Sequence, residues 1–96
     1  FREKLEVMAS PNPVKTSDSV KFRVVDSNTD SLRATVYASS GEMVFQSRWK
    51  AGNELAWGMY DKQGDPIPNG MYLYTVSAKK NGNILKSPVK KFLLLN

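Results

Sequence analysis

Along most of the chain, apolar side chains recur at every second residue. Val20, Phe22 and Val24 alternate with Lys21 and Arg23. Leu32, Ala34 and Val36 alternate with Arg33 and Thr35, and Tyr72, Tyr74 and Val76 alternate with Leu73, Thr75 and Ser77. Leu5 and Val7 share one face, as do Leu55 and Trp57. Successive side chains of a strand point to opposite faces, so this period predicts strands with one buried face. Met43, Val44 and Phe45 run together and leave the inward face of their strand open. The stretch from Ile84 to Leu95 holds two short runs separated by Pro88, which has no N–H for a ladder and so marks an edge, a bulge or a change of sheet. No segment carries a helical period.

Turn residues punctuate these runs at Pro11-Asn12-Pro13, Asp26 to Asp30, Ser39-Ser40-Gly41, Gly52-Asn53, Lys62 to Asp65, Pro68-Asn69-Gly70 and Asn81-Gly82-Asn83. Asn-Gly tolerates positive φ at both turn positions, so Asn81-Gly82 predicts a tight hairpin. About seven short antiparallel strands with frequent turns describe an all-β sandwich in a single domain spanning 1–96. Its expected core is Val20, Phe22, Val24, Leu32, Ala34, Val36, Leu55, Trp57, Ile67, Tyr72, Tyr74 and Val76.

Composition narrows the chemistry. With 96 residues, one core is sustainable without cross-links. The chain has no cysteine and no histidine, so disulfides and thiolate zinc sites are out of reach. The commonest general base and the commonest transition-metal ligand are missing with histidine. Serines and threonines have no base to activate them, and the acids are scattered over strand faces and turns rather than paired. Asp61 and Asp65 flank Gly64 closely, but lack the alternating oxygen ligands of a calcium loop and read as turn formers. A non-catalytic domain with no cofactor and no metal is expected. The net charge of +5 is modest and fits lysines on outward strand faces. Nucleic-acid binding is not expected, because most aromatics alternate as core residues and no recognition motif is present. The longest apolar stretch, Phe92 to Leu95, is far too short for a transmembrane helix. Three aromatics, Tyr37, Trp49 and Tyr60, have neighbours that claim the core face, which makes them candidate surface contacts, for a glycan among other ligands. The chain starts at Phe1 rather than a methionine, as expected of a segment of a longer protein.

The densest local signature runs from Trp57-Gly58 through Asp61 and Gly64 to Pro66-Ile67-Pro68-Asn69-Gly70-Met71-Tyr72-Leu73-Tyr74. Gly64 permits positive φ, Pro66 and Pro68 stiffen the approach of Ile67 to the core, Gly70 frees the entry to the next strand, and Tyr72 and Tyr74 bury rings with hydroxyls near the rim. This segment resembles the Ig-like domain family of the flagellar hook-capping protein FlgD and related C-terminal domains of secreted bacterial proteins. Pro11-Asn12-Pro13 resembles that family's opening after the first strand, Val36 to Val44 its hairpin, and Lys90-Lys91-Phe92-Leu93-Leu94-Leu95 its closing basic-then-aliphatic strand. Ala38 departs from the usual hairpin aspartate, and Met59-Tyr60 adds bulk where the family has a short polar residue.

The resemblance implies an Ig-like or fibronectin III-like topology and a secreted or cell-surface setting at the bacterial envelope. It also implies a place at the C-terminus of a larger protein, with other domains of that protein or envelope and secretion components as partners. It names no ligand. Three roles follow as expectations: an accessory domain that caps, docks or attaches; a secretion or sorting signal carried by the last strand with Lys90 and Lys91; or a carbohydrate-binding module.

Overall fold

A computed structural model describes residues 6–10, 14–15, 19–25 and 29–95, with the side chains of 14–15 left aside. Pro11, Asn12, Pro13 and Leu5 lie outside the described residues. Among those described there are ten strands: β1 (Val7–Ser10), β2 (Val14–Lys15), β3 (Val20–Val24), β4 (Ser31–Ala38), β5 (Met43–Gln46), β6 (Lys50–Ala51), β7 (Glu54–Trp57), β8 (Gly70–Lys80), β9 (Asn83–Lys86) and β10 (Lys90–Leu95). They form two sheets. The smaller has the order β1-β3-β7; the larger has the order β2-β10-β8-β4-β5, with β6 also on β4 and β9 also on β8. Every pairing is antiparallel except β2 with β10, which is parallel. The antiparallel sandwich is as expected, with one parallel contact added: β1 pairs in the smaller sheet and β2 in the larger, and the chain direction places β2 parallel to the last strand.

The surplus over seven strands has a local cause. β5 and β6 are two pieces of one path along β4, and β9 and β10 two pieces of one path along β8. Between Lys86, opposite Ser77, and Lys90, opposite Tyr74, three residues face two, so Pro88 sits in a bulge. A matching device interrupts the other edge. Ser87 donates its N–H to the Val76 carbonyl while its Oγ accepts the Val76 N–H at 2.9 Å and donates to the Pro88 carbonyl. Ser47 does the same at Ala34: its N–H goes to the Ala34 carbonyl, and its Oγ accepts the Ala34 N–H at 3.0 Å and donates to the Arg48 carbonyl. Ala34 and Val76 face each other in the β4–β8 ladder. One row of the sheet is thus closed on both sides by serine hydroxyls standing in for backbone acceptors.

The core lies between the sheets and contains all twelve residues expected from the pattern, joined by Val7, Met59, Ala78, Phe92 and Leu94. Each valine, leucine, isoleucine, phenylalanine or methionine among them contributes roughly 1.5–3 kcal/mol by leaving water. The Met43–Phe45 run is resolved by a bulge opposite Val36 and Tyr37. Phe45 turns inward and stacks on Trp57 with ring centres 5.0 Å apart, while Met43 lies opposite outward-facing Tyr37. Asn81 and Gly82 have φ of 52° and 80°, the two positive values of the expected hairpin turn.

Candidate functional site

The signature segment builds the corner between β7 and β8. Trp57 ends β7 with its ring in the core, and its indole N–H donates to the Tyr60 carbonyl at 3.2 Å. Met59 takes a left-handed φ of 66° and buries its side chain, so the added bulk at this position is part of the core. Tyr60 swings back over Gly58: a Cβ there would lie 2.7 Å from the Tyr60 ring, which restricts the position to glycine unless that ring moves. The Asp61 carboxylate accepts the N–H groups of Gln63 and Asp65, each at 2.9 Å, and so holds the turn through Gly64. The Ile67 N–H donates to the Met59 carbonyl. Gly70 opens β8 with positive φ. The Tyr72 hydroxyl donates to the Pro68 carbonyl four residues upstream, the tyrosine-corner arrangement that locks this loop in Ig-like sandwiches.

The three candidate contact aromatics do not form one platform. Tyr60 is exposed at the β7–β8 corner, opposite Pro66 in an isolated bridge. Tyr37 alternates with buried Val36 and so projects from the outer face of the larger sheet, beside Leu73 of β8 and Met43 of β5. Trp49 shares that outer face, because the side chains that meet its ring come from there. The Arg33 guanidinium lies 4.9 Å and the Lys79 ammonium 4.4 Å from its ring centre. Cations over an indole are attracted by its electron-rich face. The Arg33 Nε is buried and has no hydrogen-bond partner among the described residues.

Arg33 was legible as an outward residue from the period of two, and Lys79 lies on the same face of the sheet. Their meeting at Trp49 depends on the β4–β8 register and on the path after Ser47. The serines Ser47 and Ser87 had no sequence signal, since nothing in a lone serine announces that it replaces a ladder acceptor.

Lys90 and Lys91 are both exposed at the start of β10. With Val7, Met8, Ala9, Tyr74 and Val89 they line an open groove of about 430 Å³ where the edge of β1 approaches the β9–β10 bulge. Burial raises the Tyr74 hydroxyl pKa above its ordinary value, against a smaller opposing effect of a backbone hydrogen bond at Ala9; burial alone raises that of Tyr72. A phenol whose folded pKa is raised holds its proton longer than in the unfolded chain. Its contribution is therefore complete below about pH 10 and is lost as pH climbs through the folded value. The urea midpoint is expected to be flat up to about pH 9 and to fall above about pH 10. Replacing both tyrosines with phenylalanine should flatten that fall; an equally steep decline in the double variant would contradict this assignment.

No protein-family model matches the sequence. No curated protein matches it either. Solved structures do. Part of PorU from Porphyromonas gingivalis, a latent dimer, superposes with a TM-score of 0.75 at 26% identity over 95% of this chain and 9% of that one. Part of PorZ from P. gingivalis, an essential surface component of the type IX secretion system, superposes with a TM-score of 0.63 at 16% identity over 94% of this chain and 11% of that one. FlgD from P. aeruginosa superposes with a TM-score of 0.57 at 20% identity over 91% of this chain and 71% of that one. The sandwich is thus similar to FlgD, and the chain spans about a tenth of the length of the two P. gingivalis proteins. Among the described residues, no helix is long and apolar enough to cross a membrane.

Proposed function

We propose that this FlgD-like sandwich is a non-catalytic accessory domain of a secreted or cell-surface bacterial protein, serving as a structural cap or docking unit for neighbouring parts of that protein. The observation behind the reading is the match to a small portion of PorU over nearly the whole of this chain, in which the same fold is one part of a much longer polypeptide. The signature residues support it, because Trp57, Asp61, Ile67 and Tyr72 are occupied in holding the β7–β8 corner together.

A second reading, a secretion or sorting signal, is favoured by the exposure of Lys90 and Lys91 on the last strand and by the match to a secretion-system component. Deleting residues 1–96 from the protein that carries them separates the two. Under the accessory reading, the truncated protein is exported but is lost from the surface or degraded sooner. Retention inside the cell supports the sorting reading. Normal export, attachment and lifetime would dispose of both.

A further inference from the structure

The two sheets differ in charge. In the smaller sheet Lys21 is answered by Glu54 across the β3–β7 pair at 4.0 Å. In the larger, strands β4, β5, β6, β8, β9 and β10 contain lysines and an arginine but neither aspartate nor glutamate. On its outer face these cations border an apolar band. Met43, Tyr37 and Leu73 lie side by side across β5, β4 and β8, and the row ends at Lys91 on β10. Met71 stands two residues before Leu73 on the same face. Toward the other end of the face Arg33 and Lys79 gather at Trp49, while the neighbouring Asp30 carboxylate accepts the Asn81 N–H.

We infer that the outer face of the larger sheet is a docking surface for a neighbouring domain of the protein that carries this chain, one presenting an apolar patch bordered by aspartates and glutamates. The inference rests on the accessory reading above and names the face that would serve it. Isolated surface lysines usually only keep a sheet soluble, but they do not explain exposed methionines and a tyrosine in adjacent registers. Methionine, tyrosine and arginine are the side chains enriched at protein interfaces. Charge selects the occupant. A second copy of the same face would set Arg33, Lys79 and Lys91 against like charges, whereas an acidic border complements them. A polysaccharide or nucleic acid would engage the cations and leave the aliphatic band uncovered.

The methionines make the test internal to one molecule. Within this chain Met8 on the smaller sheet is 51% exposed, Met71 44% and Met43 36%, while Met59 is 3% exposed. The intact carrying protein is treated with dilute hydrogen peroxide, and sulfoxide formation at each methionine is followed by peptide mass, with urea-unfolded protein as the reference. Docking predicts that Met43 and Met71 oxidise several-fold more slowly than Met8. It also predicts that the double variant R33E/K79E restores their reactivity while Met59 stays protected, which shows that the domain is still folded. Met43 and Met71 reacting as readily as Met8 would overturn the inference. So would protection that survives the charge reversal, or protection that disappears on dilution, which would mark a second copy. Protection of Met8 in place of Met43 and Met71 would move the contact to the other sheet and leave the accessory reading standing. If the natural product proves to be this chain alone, the accessory reading itself fails.

Discussion

Replacing Trp57 with alanine is expected to destabilise the domain by about 3–5 kcal/mol, the range for removing a buried aromatic ring. Trp57 sits on β7 of the smaller sheet but touches residues of both sheets. Its ring is 5.0 Å from Phe45 and nearly parallel to it, 6.3 Å from Phe22, and 6.3 Å from Phe92 edge-on. Phe45 and Phe92 belong to the larger sheet and Phe22 to the smaller, so the indole is a shared wall of the interior. Truncation leaves a cavity among rings too stiff to collapse into it, and the Tyr60 carbonyl loses the indole N–H it accepts. A domain of this size has about 5–15 kcal/mol to lose, so the variant should give up a large share of its stability and unfold at a clearly lower urea concentration. Trp57→Phe retains part of the ring and should fall between the two. Urea titration reads this directly, and a midpoint equal to that of the parent sequence would refute the place given to Trp57.

Ser87→Ala is expected to cost about 1–3 kcal/mol, although it deletes a single oxygen, because it leaves a buried amide without an acceptor. The Val76 N–H points at the Ser87 Oγ, and Val76 is fully buried at the centre of β8. Water reaches it poorly, since Ser87 is itself buried. Ser47→Ala should act in the same way through the Ala34 N–H. The two serines stand on opposite sides of the β4–β8 pair, three strand spacings or about 14 Å apart. Their effects should therefore add to within about half a kcal/mol. Urea midpoints give the cost, and hydrogen exchange locates it: exchange at Val76 should accelerate in the Ser87 variant and exchange at Ala34 in the Ser47 variant. If neither amide changes its rate, the hydroxyls are not the acceptors that complete this row.

The face that β3, β4 and β8 bury was readable before any coordinates, since alternation at Val20-Phe22-Val24, Leu32-Ala34-Val36 and Tyr72-Tyr74-Val76 is a property of the chain alone. Turn chemistry was readable for the same reason: Asn81-Gly82 and Gly64 adopt positive φ because of what they are, and Pro88 interrupts a ladder because it has no N–H. The same local logic placed Trp57, Ile67 and Tyr72 in the core. It stopped at every feature that needs two distant segments in register. Met43, Val44 and Phe45 were ambiguous because a bulge depends on the partner strand. The burial of Met59 has no local signal, because its left-handed backbone and its place in the core come from the closed β7–β8 loop. The parallel β2–β10 pair joins the beginning of the chain to its end. Arg33, Trp49 and Lys79 are far apart in sequence and meet only once β4 and β8 have set their pairing. Backbone preference and side-chain period act over a few residues and are written in order along the chain. Register, bulges and the charge of a whole sheet face are settled by which strands become neighbours, and that is decided only when the two sheets close over a common core.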